Sequence, residues 1–308
     1  MNELFPQLTQ QLVNGLSLGA IYALIAIGYT MVYGIIGMIN FAHGEIYMIG
    51  AYVGLVTLTA VGVQHGYPLG VVLGIALIVS VTVTGLYGWT VERIAYRPLR
   101  GGPRLVPLIS AIGMSIFLQN YVQIGQGARD MSVPLLVSGA FEFQMGSAFV
   151  VTIPYARLMI VCVSLALMVV LTLFISHSRM GRACRACSQD MRMANLLGID
   201  TNRVISFTFV LGAMLAAVGG VLIALSIGKL NPYIGFIAGI KAFTAAVLGG
   251  IGSVPGAMLG GMLLGLVETF AAGYLPSQYK DLVSFGLLIA ILLCRPTGLL
   301  GKPDIEKV

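Results

Sequence analysis

Long apolar runs joined by short polar segments set the pattern of this chain. A helix needs about 20 mostly apolar residues to cross a bilayer. Runs of that kind recur at about 8–32, 42–63, 68–91, 105–124, 156–176, 205–228, 234–252, 254–273 and 282–294. They predict nine crossings, with eight or ten as alternatives, because the last run is short and glycines near 249–256 divide two others into broken or re-entrant pieces. The alternating pattern of a membrane barrel is absent. The expected fold class is therefore all-α: a polytopic transmembrane helical bundle forming a single integral-membrane domain over 1–308.

Composition agrees. Of 308 residues 58% are hydrophobic and 9% charged, whereas a soluble domain carries about 25% charged residues. The mean hydropathy is +0.96. The net charge of +6 marks topology, with no basis for nucleic-acid binding. Arg93, Arg97, Arg100 and Arg104 form one basic cluster, Arg179, Arg182, Arg185, Arg192 and Arg203 a second, and Arg295, Lys302 and Lys307 a third. Nine crossings put all three on one side, which the positive-inside rule makes cytoplasmic. The N-terminus is then expected outside and the C-terminus inside, without a removable signal peptide.

The outer segment around 125–155 carries Gly, Ser and Pro punctuation and period-two alternation near Phe141–Phe143, which predicts a short hairpin or irregular loop. An internal repeat is also visible. "LGAIYALIAIGYTMVYGIIGMINF" from Leu18 and "LGAMLAAVGGVLIALSIGKLNP" from Leu211 both open on Leu-Gly-Ala and reach Gly-x-(Ile/Leu)-Asn at Asn40 and Asn231. With nine crossings the two copies enter from opposite sides. That relation is expected of an inverted repeat with a substrate path between its halves.

Enzyme-like patterns lack their context. Gly15-Leu-Ser17-Leu-Gly19 matches a nucleophile elbow but sits inside one apolar run rather than between a strand and a helix. Cys184 and Cys187 form a CxxC without further ligands for a structural zinc. No Gly-x-x-x-x-Gly-Lys-(Ser/Thr) occurs, so any nucleotide-driven step falls to another subunit. No catalytic residue, metal site or cofactor is indicated.

Polar groups inside lipid are costly and point to function by default. "GMINFAHGEIYMIGAY" places Asn40, His43 and Glu45 at the start of the second span, as path-lining groups or as helix-start caps. Asn231, Gly250, Gly252 and Ser253 join them as candidates for a translocation path, at the end of the second repeat copy and in a helix break. Lys241 and Glu268 are expected to pair between adjacent spans or to snorkel. GxxxG at Gly256/Gly260 and Gly261/Gly265 predicts close helix packing.

One passage contrasts with all of this: "MGRACRACSQDMRMANLLGIDTNRV", residues 180–204. Ser188 as N-cap, Asp190 in the first turn and Gly198 at C′ predict a helix of about nine residues over 189–197. Met191, Ala194 and Leu197 share its apolar face. Such a capped amphipathic helix either docks into a groove on a cytosolic partner or lies on the lipid surface.

Three stretches carry a family likeness: "GYTMVYGIIGMINFAHGEIYMIGAY" (28–52), "SRMGRACRACSQDMRMANLLGI" (178–199) and "NPYIGFIAGIKAFTAAVLGGIGSVPGAMLGG" (231–261). From about residue 10 to its end, the chain resembles permease subunits of bacterial ABC importers for branched-chain amino acids. The resemblance implies an inner-membrane protein passing leucine, isoleucine or valine from periplasm to cytoplasm. Its implied partners are a second, homologous permease subunit, two cytosolic ABC ATPases and a periplasmic binding protein. It also implies that the polar loop couples to an ATPase through Arg182, Arg185, Asp190, Met191, Ala194, Leu197 and Gly198, although the family's usual Glu-Ala-Ala is absent. A rival class is a proton-coupled secondary amino-acid transporter with His43 and Glu45 as relay. A third, an intramembrane protease, would rest on Ser17.

Overall fold

The computed structural model describes residues 4–65, 67–100, 102–103, 105–134, 136–145 and 149–301. Arg104, Lys302 and Lys307 of the basic clusters lie outside these residues. Helices α1 (Leu4–Ile36), α2 (His43–His65), α3 (Leu69–Val91) and α4 (Leu105–Gln126) come first. Helix α5 (Tyr155–His177) leads into two short helices, α6 (Arg179–Gln189) and α7 (Met191–Leu196). Helices α8 (Thr201–Ile227), α9 (Ile234–Gly249), α10 (Val254–Tyr274) and α11 (Lys280–Cys294) complete an all-α bundle. Seven helices among the described residues (α1–α5, α8 and α10) are long and apolar enough to cross a membrane. At 16 and 15 residues, α9 and α11 are shorter. At 1.5 Å per residue each falls short of a hydrocarbon core of about 30 Å.

The predicted hairpin forms where the alternation places it. Strand β2 (Ala140–Met145) pairs antiparallel with β3 (Phe149–Pro154), with Phe141 opposite Ile153 and Phe143 opposite Val151. Strand β1 (Met131–Ser132) pairs with β4 (Lys229–Leu230), which ties the segment after α4 to the end of α8.

The two repeat copies fold alike. Helix α1 ends at Gly37 and α8 at Gly228, both left-handed with φ of +72° and +70°, a conformation glycine adopts without a Cβ penalty. Three residues later the main-chain carbonyls of Asn40 and Asn231 accept from the amides of His43 and Ile234, at 3.0 and 3.2 Å, opening α2 and α9. Neighbour relations repeat as well: α1 packs on α8, α9 and α10, while α8 packs on α1, α2 and α3. Helices α1 and α8 meet antiparallel, Gly28 lying against Gly212 and Ile25 against Gly219. A twofold axis that pairs a helix antiparallel with its own counterpart must run across the helices, so α1–α3 and α8–α10 form an inverted repeat.

Small residues let the central helices touch. The glycines of Gly15-x-Ser17-x-Gly19 face Gly265, Leu266 and Met262 of α10, while Gly261 lies against Ala23. Gly256 and Gly260 of the other GxxxG face α9 at Gly249 and Ala245. Backbones without Cβ atoms between them approach closely and gain dispersion contacts along their length. Ser17 is buried in mid-helix and donates to the carbonyl of Val13 at 2.9 Å, so the elbow-like motif is a packing stripe.

Candidate functional site

The polar groups expected inside the bundle are buried, with Asn40, His43 and Glu45 no more than 2% exposed. Tyr96 donates to Asn40 Oδ1 at 2.7 Å. His43 packs edge-on to Tyr29 with ring centroids 4.8 Å apart, its Nε2 against Gly28. Ser115 donates to Glu45 Oε1 at 3.3 Å, and Glu45 Oε2 lies beside Gly235. His43 and Glu45 share no hydrogen bond among the described residues, because two positions on a helix point to different faces. Among the described residues His43 Nε2 and Glu45 Oε2 are buried without a partner, a costly state that structure alone does not require.

The second half of the predicted path lies at the ends of α9. Asn231 Oδ1 accepts from the Tyr233 amide at 3.0 Å. Gly250 and Gly252 have φ of +105° and +88°, and Ser253 caps α10 through Gly256 at 3.2 Å. The chain after α11 returns here. Leu299 and Leu300 donate to the carbonyls of Leu248 and Gly249 at 3.0 and 2.9 Å, so these two acceptors at the end of α9 are filled by the protein itself.

Lys241 and Glu268 pair between α9 and α10, the first of the two alternatives their placement allowed. Sequence reasoning missed the rest of this network. Lys241 also reaches Asp281 at 2.9 Å, and Tyr22 donates to Glu268 Oε2 at 3.0 Å. A second missed network surrounds Glu92, which is wholly buried; it binds Arg100 and accepts from Ser206 of α8 at 2.7 Å. Polar residues distant along the chain carry no local periodicity that would announce such partners.

The polar loop differs from its prediction. One helix over 189–197 is replaced by two, because Asp190 is extended (φ −156°, ψ 106°) and caps α7 through the Met193 amide at 2.9 Å. Ser188 instead donates to the carbonyl of Arg185, and Ser178 is the N-cap of the longer α6, accepting from Gly181 at 2.8 Å. Gly198 takes the expected left-handed conformation. It donates to Asn195 and Ile199 to Ala194, both at 3.0 Å, the paired bonds of a Schellman end. Arg182 and Arg185 reach back to α5: Arg182 donates to the carbonyl of His177 at 3.2 Å, Arg185 to those of Ile175 and Ser176. Cations there satisfy the terminal carbonyls and oppose the helix dipole.

Gly181, Cys184, Cys187 and Ala194 are buried and Met191 is half-buried, so α6 and α7 present one face to the bundle. Burial pushes both thiols above the usual range. Met193, Leu196 and Leu197 face outward, 54%, 81% and 75% exposed. The apolar tip is thus one position out of register with the predicted face, which keeps only Leu197 on the open side. A cavity of about 80 Å³ beneath α6 is lined by Gly34, Cys184, Ser188 and Gly252, so α6, the end of α1 and the break before α10 share one wall.

An inverted repeat of apolar helices with buried unpaired polar groups between its halves, and a capped helical appendage at one end, defines a membrane transport subunit. The chain belongs to the family described as branched-chain amino acid transport system / permease component, matched over residues 11–292. It is 58% identical to the high-affinity branched-chain amino acid transport system permease protein BraD of Pseudomonas aeruginosa over 97% of both chains. To the permease protein LivH of the corresponding Escherichia coli system it is 55% identical over the whole of both. The Escherichia coli permease protein LivM is 28% identical over 94% of this chain and 70% of its own length. No solved structure matches.

Proposed function

We propose that this chain is the membrane-embedded permease subunit of an ATP-driven importer that brings leucine, isoleucine and valine across the inner membrane into the cytoplasm. The family match along residues 11–292 carries this reading. With α9 and α11 read as shortened crossings beside the seven long helices, the chain crosses nine times, and the basic clusters then put the N-terminus in the periplasm and α6, α7 and the C-terminus in the cytoplasm. The LivM likeness supports a homologous second permease subunit as partner. No phosphate-binding glycine loop occurs in the sequence, so hydrolysis falls to two cytosolic ATPase subunits, while a periplasmic binding protein delivers substrate.

The coupling element is the α6–α7 unit. Arg182 and Arg185 fasten it to α5. Asp190, Ala194 and Gly198 fix the shape and caps of α7, and Met191 seats it on the bundle. Leu197, with Leu196 and Met193, enters a cleft of an ATPase. Motion of that cleft then reaches α1, on which α6 packs, and through Gly34 the Gly250–Ser253 break. The path runs between the repeat halves past Asn40, His43, Glu45 and Asn231, where helix ends and unpaired polar atoms stand in for water around the zwitterion.

Reconstitution with all presumed partners tests this. Leucine uptake that requires ATP and binding protein is expected. Uptake by the isolated chain, driven by a proton gradient, would instead establish the His43/Glu45 carrier.

A further inference from the structure

A cavity of about 500 Å³ opens at the end of the bundle opposite α6 and α7. The N-terminal parts of α1 and α5, the C-terminal ends of α8 and α10, and Lys280 at the start of α11 enclose it. One part of its wall is apolar, with Leu18, Ile21, Ile160, Ile223 and Ile227. The other is charged, with Arg157, Lys280 and Glu268.

These charges do not cancel. Lys241 is held by Glu268 and Asp281, and Lys280 stands 4.0 Å from Glu268. Three cations therefore meet two anions, and the surplus falls on Arg157. Arg157 has no hydrogen bond or ion pair among the described residues, although it lies half-buried against the cavity. A guanidinium in that position is completed by a carboxylate, which it binds with two parallel hydrogen bonds. Among the described residues Glu268 Oε2 accepts only from Tyr22, which leaves it a lone pair for an ammonium N–H. Carboxylate, ammonium and aliphatic side chain thus each find a complementary wall.

We infer that this outer cavity is a binding chamber for a free aliphatic α-amino acid. Arg157 holds the α-carboxylate, Glu268 the α-ammonium group, and the Ile21, Ile160 and Ile223 wall the side chain. The assignment rests on the import reading above and gives it a site on the entry side, distinct from the predicted path residues.

The test uses the complete complex in proteoliposomes, with Cys162 and Cys294 replaced by serine and a reporter Ser226→Cys on the chamber wall. A small thiol reagent labels the reporter in the presence of leucine, leucinamide or neither. Leucine is expected to slow labelling about tenfold, while leucinamide, lacking the carboxylate, leaves the rate unchanged. Arg157→Gln removes the protection and Arg157→Lys restores part of it. No protection by leucine, or equal protection in Arg157→Gln, overturns the chamber. ATP-driven leucine uptake is measured on the same vesicles. Uptake without protection refutes the chamber alone, whereas protection without uptake refutes the import reading and leaves the chamber standing.

Discussion

Gly44 and Gly235 lie backbone to backbone: a Cβ on Gly235 would stand 2.8 Å from the carbonyl oxygen of Gly44. Each follows its repeat asparagine, Asn40 or Asn231, by four residues. A residue that touches its own counterpart marks the local twofold axis, here at the entry to α2 and α9. Any side chain at either position, alanine's Cβ included, must push these helices apart. Gly44→Val and Gly235→Val are each expected to cost about 2–3 kcal/mol and to reduce leucine uptake alike. Thermal denaturation in detergent measures the first effect, and a stability loss confined to one of the two argues against an axis there.

The Lys241 network gives a graded expectation. Glu268 sits on Lys241 in a site where both side chains are under 10% exposed (7% and 6%), whereas Asp281 is half exposed at 52%. Removing one partner of a buried pair strands the other charge. Glu268→Gln is expected to lower stability by about 3–5 kcal/mol, and Asp281→Asn by about 1 kcal/mol or less. Equal losses on denaturation would show that burial does not set the strength of these pairs.

Buried thiols make a pH prediction. Burial raises Cys184 and Cys187 above an ordinary thiol, so the thiolate fraction at neutral pH is smaller and alkylation slower. Their rates should still climb with pH after an exposed cysteine has levelled off. Mass spectrometry after timed iodoacetamide treatment checks this. Reaction of Cys187 at neutral pH as fast as that of an exposed cysteine would contradict its packing.

Much of this architecture was legible in the sequence. Each apolar run became one helix, since lipid demands a continuous apolar segment with internally satisfied backbone, and such a segment is a local property. The likeness of the Gly37–Asn40 and Gly228–Asn231 segments was visible because both repeat copies close on Gly-x-(Ile/Leu)-Asn, although the letters did not announce the left-handed turns. The Lys241–Glu268 pair was readable as one of two options, because isolated charges in apolar runs must find a partner or reach an interface. What escaped was nonlocal. Asp281 and Tyr22 close the Lys241 network, Arg100 and Ser206 hold Glu92, and the 299–300 segment fills the end of α9, each across a distance in sequence no periodicity records. In the polar loop, two serines and an aspartate all suit an N-cap. Packing of Cys184 and Cys187 on the bundle selected Ser178 and Asp190 over Ser188.

The exposed tip of α7 predicts an uncoupling phenotype. Leu196→Asp with Leu197→Asp places two charges where an apolar surface is needed while leaving the chain's own contacts intact, since both side chains are over 70% exposed (81% and 75%). Arg182→Glu and Met191→Asp act differently, by loosening α6 and α7 from the bundle. Binding-protein-stimulated ATP hydrolysis and leucine uptake are expected to fall about tenfold or more in the double variant, with folding unchanged. Normal hydrolysis and uptake in it, and in Arg182→Glu, Asp190→Ala and Met191→Asp, would remove the coupling role from this loop.

Sidedness of that tip bears most directly on the whole account. Cys187 is too buried for the purpose at 2% exposure, but residue 196 is open. With Cys162 and Cys294 replaced, Leu196→Cys is treated with a membrane-impermeant maleimide in intact cells and in inverted vesicles. Labelling in inverted vesicles alone is the predicted result. Labelling in intact cells would place α7 in the periplasm, out of reach of any cytosolic ATPase, and contradict the proposal.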